Sequence, residues 1–252
     1  MADRISLGLR RWWLSKVQQR LYRRLARSAR RVHGRGPLLV AIGDSHTDPG
    51  CAYTLPRQAW PRIVGRKKGY ETVNLGVSGD TTGDMRLRIE QTLRQGQPEI
   101  AVVFGGSNDA LRHVDPAETK QNVTSMVEWL HKHGVRRIVL IGPGWPNWQP
   151  APDWVAAADE VRRVLGEVAE RYGAIFVDLS SFLRGRIDRG KDLDFSRIPY
   201  TQSRSWHVED GDPHFNAYGQ RLIAEAFFAA TADWRPARRR RPLSSLRRAR
   251  LW

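Results

Sequence analysis

The chain has 252 residues, of which 40% are hydrophobic and 27% are charged, a composition typical of one globular domain with a substantial core. It contains no apolar run of about 18 residues, which argues against a helix that spans a membrane. Its single cysteine, Cys51, excludes internal disulfide bonds and a cysteine-based zinc cluster.

The net charge of +16 is concentrated at the two ends of the chain. Residues 1–36 contain eleven Lys and Arg with one acid, and residues 235–252 contain eight Arg with no acid, so the chain between them has a charge of −2. This distribution argues against a basic groove that binds nucleic acid. It predicts a nearly neutral domain over residues 37–234 with two cationic appendages.

The first appendage, residues 1–36, has the pattern of a basic amphipathic helix. Apolar residues recur every three or four positions from Ile5 to Val32, and arginines fill much of the remainder. Such a helix, with tryptophan beside its apolar stripe, suits an anionic membrane surface. Two alternatives stay open: the helix packs on the domain, or it binds nucleic acid or an acidic protein. The second appendage, residues 235–252, is predicted to be an Arg-rich tail.

Arg10-Arg11 superficially suggests a twin-arginine export signal, but the apolar stretch that such a signal requires does not follow it. With one cysteine and no secretory segment, we expect a cytoplasmic protein, either free or peripheral at the inner membrane face.

Five short apolar segments that end near glycine or a turn are predicted strands. They are residues 38–42, 71–75, 100–104, 137–141 and 174–179. Helical periodicity lies between and after them, at about 83–95, 117–133, 153–172 and 216–232. Buried strands that alternate with helices predict an α/β fold whose parallel sheet is covered on both faces. Ligands of such folds bind at the carboxyl ends of the strands.

Polar residues and glycines follow three of these strands, and a fourth group precedes the last helix. The groups are Gly43-Asp44-Ser45-His46-Thr47, Asn74-Leu75-Gly76-Val77-Ser78-Gly79-Asp80, Gly106-Ser107-Asn108-Asp109 and Asp212-Pro213-His214-Phe215-Asn216. Acyl transfer needs a nucleophile, a base, a group that orients the base and donors for the oxyanion. These groups contain all of those residue types. Taken singly each is common in loops, and a serine beside an aspartate is more often a turn or a helix cap.

In their order and spacing, the four groups resemble the SGNH, or GDSL, hydrolase family across residues 37–232. The resemblance implies a flavodoxin-like three-layer α/β/α sandwich with a mostly parallel sheet of about five strands, and a serine hydrolase acting mainly on esters. By motif, Ser45 would be the nucleophile and His214 the general base, oriented by Asp212. The oxyanion hole would consist of the Ser45 and Gly79 N–H groups and the Asn108 side chain. No metal site or other cofactor is expected.

Two positions depart from the family's usual pattern. His46 stands where an aliphatic residue usually follows the serine, and its effect on the cleft or on substrate choice stays open. The acid usually lies three residues before the histidine, but that position is Gly211. We favour Asp212 as the acid, with Asp210 as the alternative. Three other acids of the motifs are expected to brace their loops: Asp44, Asp80 and Asp109.

The sequence therefore predicts a carboxylic ester hydrolase that forms an acyl-enzyme on Ser45 and acts on lipid or small acyl esters. A glycan O-acetyl esterase or acyltransferase on the same fold is one alternative. A catalytically weak, membrane-associated binding module is another. Trp145 and Trp148, on the predicted rim, and Trp206 suit a sugar ring or an acyl chain, or they pack the loops. Nucleic acid is not an expected partner, and the sequence does not indicate the oligomeric state.

Overall fold

The computed structural model describes residues 37–48, 56–92, 98–144, 152–188, 214–215 and 217–234. Within these ranges the strands are β1 (Leu38–Gly43), β2 (Glu71–Gly76), β3 (Ile100–Phe104), β4 (Arg137–Ile141) and β5 (Ile175–Val177). The helices are α1 (Trp60–Lys68), α2 (Thr82–Thr92), α3 (Ser107–Leu111), α4 (Pro116–Lys132), α5 (Pro152–Tyr172), α6 (Leu179–Asp188) and α7 (Ala217–Ala230). The two predicted appendages, residues 1–36 and 235–252, lie outside the described residues.

The five strands form one parallel sheet in the order β2-β1-β3-β4-β5. This is the order of a flavodoxin-like doubly wound sheet, so the predicted fold class is confirmed. The chain passes from β1 to β2 on one side and then crosses to β3 on the other side of β1. Such a reversal opens a crevice at the carboxyl ends of β1 and β3, where ligands of these folds bind.

Alternate residues of each strand point to opposite sides of the sheet, and helices cover both sides. On one face, Val40 and Ile42 of β1 pack in a core with residues of α2, α4 and α5. On the other face, Leu39 and Ala41 pack with residues of α1, α6 and α7. Every residue of β1 is buried, as expected of a central strand in a three-layer sandwich.

The end of the fifth strand differs from the sequence prediction of 174–179. The strand ends at Val177, and Leu179 begins α6. The reason lies in Asp178, whose carboxylate accepts hydrogen bonds from the N–H and the hydroxyl of Ser181 at 3.0 and 2.7 Å. An aspartate in this position caps a helix, so the chain leaves the strand two residues early. The other four strands and the four predicted helices are confirmed within a few residues.

None of the helices in the described part of the chain is long and apolar enough to cross a membrane.

Candidate active site

Ser45 lies in a tight turn that follows β1 at the carboxyl edge of the sheet. The N–H groups of Thr47 and Asp48 both donate to the carbonyl oxygen of Asp44, at 3.1 and 3.0 Å. The serine itself is buried, with 6% of its surface exposed. The sequence placed a candidate nucleophile at a turn after the first strand, and the structure has it there.

Asn74, on the neighbouring strand β2, holds this turn from the side. Its amide nitrogen donates to the carbonyl oxygen of Thr47 at 2.7 Å, and its amide oxygen accepts from the N–H of Gly76 at 2.8 Å. Gly76 lets the turn approach closely, since a Cβ there would lie 2.3 Å from the nitrogen of Asp48. Asn74 belongs to the second motif, but the sequence alone predicts no role for it. Its role here is to fix the turn that carries Ser45.

Gly79 and Asn108 are the two other candidate oxyanion donors; Gly79 lies in the loop after β2, and Asn108 is the second residue of α3. The amide nitrogen of Asn108 donates to the carbonyl oxygen of Asp80 at 3.0 Å. Since an amide nitrogen carries two hydrogens, one remains after this bond is made. Gly79 has a φ of 82°, in the left-handed region that favours glycine. Its carbonyl oxygen accepts from the guanidinium of Arg112 at 2.6 Å. The two candidate donors are therefore neighbours.

Asp109 braces the same region from within. Its buried carboxylate accepts from the N–H of Thr82 at 2.9 Å and from the Thr82 hydroxyl at 2.5 Å. The hydroxyl of Thr119 adds a longer bond at 3.3 Å. Burial raises the pKa of Asp109, while these hydrogen bonds lower it. Asp109 therefore links α3 to the first residue of α2, the bracing role that the sequence predicts for this acid.

Asp80 braces its loop through a residue that the sequence analysis did not find. Its carboxylate forms an ion pair with Arg88 of α2, and neither side chain is more than 2% exposed. The same guanidinium donates to the carbonyl oxygen of Gly43 at 2.9 Å. Arg88 thus connects the end of β1 to the loop that carries Gly79.

His214 lies just before α7, and its ring lies near that of His46, in the same turn as Ser45. The ring centroids of the two histidines are 5.5 Å apart. His46 is buried, stacks on Phe104 at 5.5 Å and meets the edge of Phe215 at 5.3 Å. Burial, and then the nearby His214, lower the pKa of His46 to about 3. His46 is therefore a neutral ring among aromatic neighbours, which explains how it occupies a position that is usually aliphatic.

Asp44 is a buried carboxyl beside these histidines. One of its oxygens accepts from the N–H of His46 at 2.9 Å, which is the loop bracing that the sequence analysis expected. Burial raises the pKa of Asp44 to about 7, with a further rise from Asp109, while this hydrogen bond and the charge of His214 lower it. The environment of Asp44 therefore disfavours its charged form near neutral pH, and a positive charge on His214 favours it.

Gln220, on α7, joins the segment of His214 to the turn of Ser45. Its amide nitrogen donates to the carbonyl oxygen of His46 at 3.1 Å, across 174 positions of sequence. Its amide oxygen accepts from the N–H of Trp60, at the start of α1, at 2.9 Å. The side chain is 1% exposed. No local sequence signal distinguishes such a glutamine from a surface residue.

Several candidates from the sequence lie outside the described residues. These are the candidate acids Asp210 and Asp212 and the rim tryptophans Trp145, Trp148 and Trp206. Within the described ranges, no group of three or more His, Cys, Asp or Glu side chains is arranged to hold a metal ion.

Ser45 thus follows β1, Gly79 follows β2, Asn108 lies in α3 after β3, and His214 lies just before α7. The family model of the GDSL-like lipase/acylhydrolase family matches residues 41–222, which include all four. The chain belongs to this family. The four motifs had predicted the same family, and that prediction is confirmed.

Several relatives of the chain are esterases. Esterase TesA of Pseudomonas aeruginosa is 31% identical over 154 residues, covering 58% of this chain and 71% of that protein. An acetylxylan esterase of Geobacillus stearothermophilus is 26% identical over 168 residues, covering 58% and 77%. A solved structure of a mutant of the latter shares the fold, with a TM-score of 0.62 at 21% identity, and covers 83% of this chain and 100% of that one. The family and its esterase members make this chain a carboxylic ester hydrolase.

Proposed function

We propose that the enzyme cleaves its ester through an acyl-enzyme on Ser45, with His214 as the general base. The observation that carries the proposal is the hydrogen bond from the Asn108 amide to the carbonyl oxygen of Asp80. It joins the loop after β2, which carries Gly79, to the start of α3. The proposed oxyanion hole has three donors: the N–H groups of Ser45 and Gly79 and the second amide hydrogen of Asn108.

The proposed reaction has two halves. In the first, the Ser45 hydroxyl attacks the ester carbonyl while His214 takes its proton, and a tetrahedral oxyanion forms. The oxyanion collapses as the C–O bond to the alcohol breaks, and His214 returns the proton to that leaving oxygen. In the second half, His214 takes a proton from water, which attacks the acyl-enzyme. The acid leaves, and the proton returns to Ser45.

Asp212 is proposed to orient His214, with Asp210 as the alternative. Asp212 lies two residues before the histidine, close enough in sequence to accept from its ring N–H. Replacing each acid in turn by asparagine distinguishes the two candidates. Only the replacement of the acid that orients His214 should lower kcat strongly. An asparagine in that role favours the wrong tautomer of the ring and leaves its positive form without a charged partner.

The proposed substrates are lipid or small acyl esters. The alternative of a glycan O-acetyl ester draws its support from the acetylxylan esterase among the relatives. Hydrolysis rates for a series of p-nitrophenyl esters, from acetyl to long acyl chains, distinguish the two substrate classes. Activity that falls steeply beyond acetyl favours the O-acetyl esterase, and activity that rises with chain length favours lipid esters. Adding an alcohol acceptor to the same assay tests acyl transfer, which would yield the new ester.

The experiment that tests the nucleophile is labelling with a fluorophosphonate probe. We expect the wild type to be labelled and Ser45→Ala to lose the label. Ser107→Ala, which removes another serine of the same motifs, is the matched control and should keep it. In the acetylxylan esterase of G. stearothermophilus, proteins with a serine or a histidine replaced by alanine are described as catalytic mutants. A folded wild type that takes up no label would contradict the proposal and favour the binding module.

A further inference from the structure

The first described residues of the domain lie at the amino ends of the strands. The carbonyl oxygen of Pro37 accepts from the N–H of Glu71, at the start of β2, at 2.9 Å. The carbonyl oxygen of Leu38 accepts from the N–H of Glu99, just before β3, also at 2.9 Å. The basic segment 1–36 therefore joins the domain at the end of the sheet opposite to Ser45.

The last described residues lie at the same end. The carbonyl oxygen of Trp234 accepts from the ammonium of Lys68, the last residue of α1, at 2.8 Å. The Trp234 ring lies under the guanidinium of Arg137, the first residue of β4, at 5.2 Å. That guanidinium also reaches the carboxylate of Glu99 at 3.4 Å. Since Glu99 bonds to Leu38, a short series of contacts joins the two ends of the domain.

We call this end of the molecule the amino-end face and define it by Pro37, Lys68, Arg136, Arg137 and Trp234. Additional exposed bases lie at the ends of the adjoining helices: Arg66, Lys67 and Lys132. Seven residues of extended chain reach at most about 25 Å. Chain length alone therefore keeps eight further arginines within that distance of their attachment points: Arg30, Arg31, Arg35, Arg235, Arg238, Arg239, Arg240 and Arg241.

The candidate active site lies at the opposite end of the sheet. Six residues of β1 separate Pro37 from Asp44. At about 3.3 Å per residue, the strand places the turn of Ser45 about 20 Å from the amino-end face. A partner surface bound to the amino-end face would therefore leave the candidate active site accessible.

We propose that the amino-end face, together with residues 1–36 and 235–252, docks on an anionic phospholipid bilayer, and that the catalytic edge faces the water. Two polybasic segments that leave the domain at one end act as a single multivalent contact with anionic head groups. A bilayer fits better than nucleic acid, because residues 1–36 also repeat apolar side chains, including Trp13, at helical spacing. Binding to the phosphates of nucleic acid would require only the basic side chains and would leave the apolar repeat without a role.

The orientation has a consequence for substrate, which rests on the proposed function. The length of β1 would separate an ester embedded in the same bilayer from Ser45, by about 20 Å. The enzyme would therefore take esters that are presented from the aqueous side, such as soluble acyl esters or esters on polymers near the membrane.

Co-sedimentation of the full chain with vesicles tests the docking. We expect binding to vesicles that contain phosphatidylglycerol and little binding to phosphatidylcholine alone. Replacing Arg238, Arg239, Arg240 and Arg241 by glutamine should lower the affinity at least about tenfold. The matched control makes the same change in charge at exposed bases elsewhere on the domain: Lys120→Gln, Arg163→Gln, Arg184→Gln and Arg221→Gln. An equal loss in the control, binding without anionic lipid, or binding to duplex DNA but not to vesicles would overturn the proposal.

Single labelled cysteines test the orientation. In a Cys51→Ser background, an environment-sensitive dye is attached at Arg136→Cys, on the amino-end face, or at Leu111→Cys, a residue 60% exposed near the catalytic edge. Spin-labelled lipids should quench the dye at position 136 and leave that at 111 bright, and the reverse pattern would overturn the orientation. Fluorophosphonate labelling should be equal with and without vesicles. Labelling absent in both conditions would count against the serine mechanism and leave the docking result intact.

Discussion

Arg88 and Asp80 form an ion pair that is shielded from solvent, beneath the loop that carries Gly79. The guanidinium also holds the carbonyl oxygen of Gly43, so one side chain fixes the two loops that supply candidate oxyanion donors. A buried ion pair contributes little net stability compared with well-packed apolar residues, but removing one partner is strongly destabilising. The pair is therefore best understood as a positional constraint on the site.

Arg88→Ala should lower the free energy of unfolding by about 3–5 kcal/mol, because it leaves the Asp80 carboxylate buried without its charged partner. Urea unfolding measures this. The control is Arg163→Ala, an exposed arginine that pairs with Glu160 and Glu167 on α5. Surface pairs contribute little, so the control should hardly move the midpoint. Equal losses in the two variants would show that burial does not govern the effect.

Asn108→Ala and Asn74→Ala should have different effects, although both lose an amide near the site. Asn108→Ala removes a proposed oxyanion donor and one hydrogen bond, to Asp80, so kcat should fall about 10²–10³-fold and the melting temperature should fall only slightly. Asn74→Ala releases the turn of Ser45 from β2, so both kcat and the melting temperature should fall. Ester hydrolysis and thermal unfolding of the two proteins provide the comparison. A normal kcat in Asn108→Ala would remove that side chain from the proposed oxyanion hole.

Asp44 and His46 should give stability opposite dependences on pH. The pKa of Asp44 rises from 3.8 to about 7 on folding, so its contribution is present below pH 3.8 and is lost as the pH rises toward 7. The pKa of His46 falls from 6.5 to about 3, so its contribution is present above pH 6.5 and is lost as the pH falls toward 3. In the wild type the two effects largely cancel between these limits.

Replacing either residue should reveal the pH dependence of stability that is due to the other. In His46→Leu, stability should fall relative to wild type as the pH rises from about 4 to 7, by up to about 1.4 kcal/mol per pH unit. In Asp44→Asn, stability should instead rise relative to wild type from about pH 3 to 6.5, with a slope of similar size. Denaturant unfolding at several pH values measures both slopes. Parallel profiles for all three proteins would contradict the assigned pKa shifts.

Gly106→Ala should be strongly destabilising. Gly106 has a φ of 102° at the start of α3, and a Cβ there would lie 2.4 Å from a methyl carbon of Val161 on α5. Gly166→Ala, in the interior of α5, is the control. Its new Cβ would make ordinary contacts with Phe176 at 3.5 Å, and alanine is favoured in a helix by about 1 kcal/mol. In thermal unfolding, the melting temperature should fall in Gly106→Ala and rise in Gly166→Ala. A higher melting temperature in Gly106→Ala would contradict the strain argument.

Most of the fold could be predicted from periodicity, and the exceptions have physical reasons. The helices α1, α3 and α6 were not predicted. Helix α3 has five residues, which is too few to show a period, and α1 has nine residues that end in three consecutive bases. The start of α6 lay in what was predicted as strand, because the capping by Asp178 follows an apolar run without a glycine or proline to interrupt it.

The candidate site could be predicted only where a motif carried it. Ser45, Gly79, Asn108 and His214 were found because their local neighbours form blocks whose order is informative. Arg88 and Gln220 were missed, since their contacts span 45 and 174 positions of sequence and each is an unremarkable polar residue on a helix. Residues that hold a site together across the fold leave no local pattern.

Gln220 also bears on when the site forms during synthesis. A growing chain that has been translated as far as α6 contains all five strands, yet it has neither His214 nor the amide that ties His46 to α1. His214, the proposed base, and Gln220 are therefore synthesised together, with the last described helix of the domain. If the proposed mechanism holds, an unfinished polypeptide on the ribosome would present Ser45 without a partner to activate it, and hydrolysis would begin only when α7 emerges from the exit tunnel and docks.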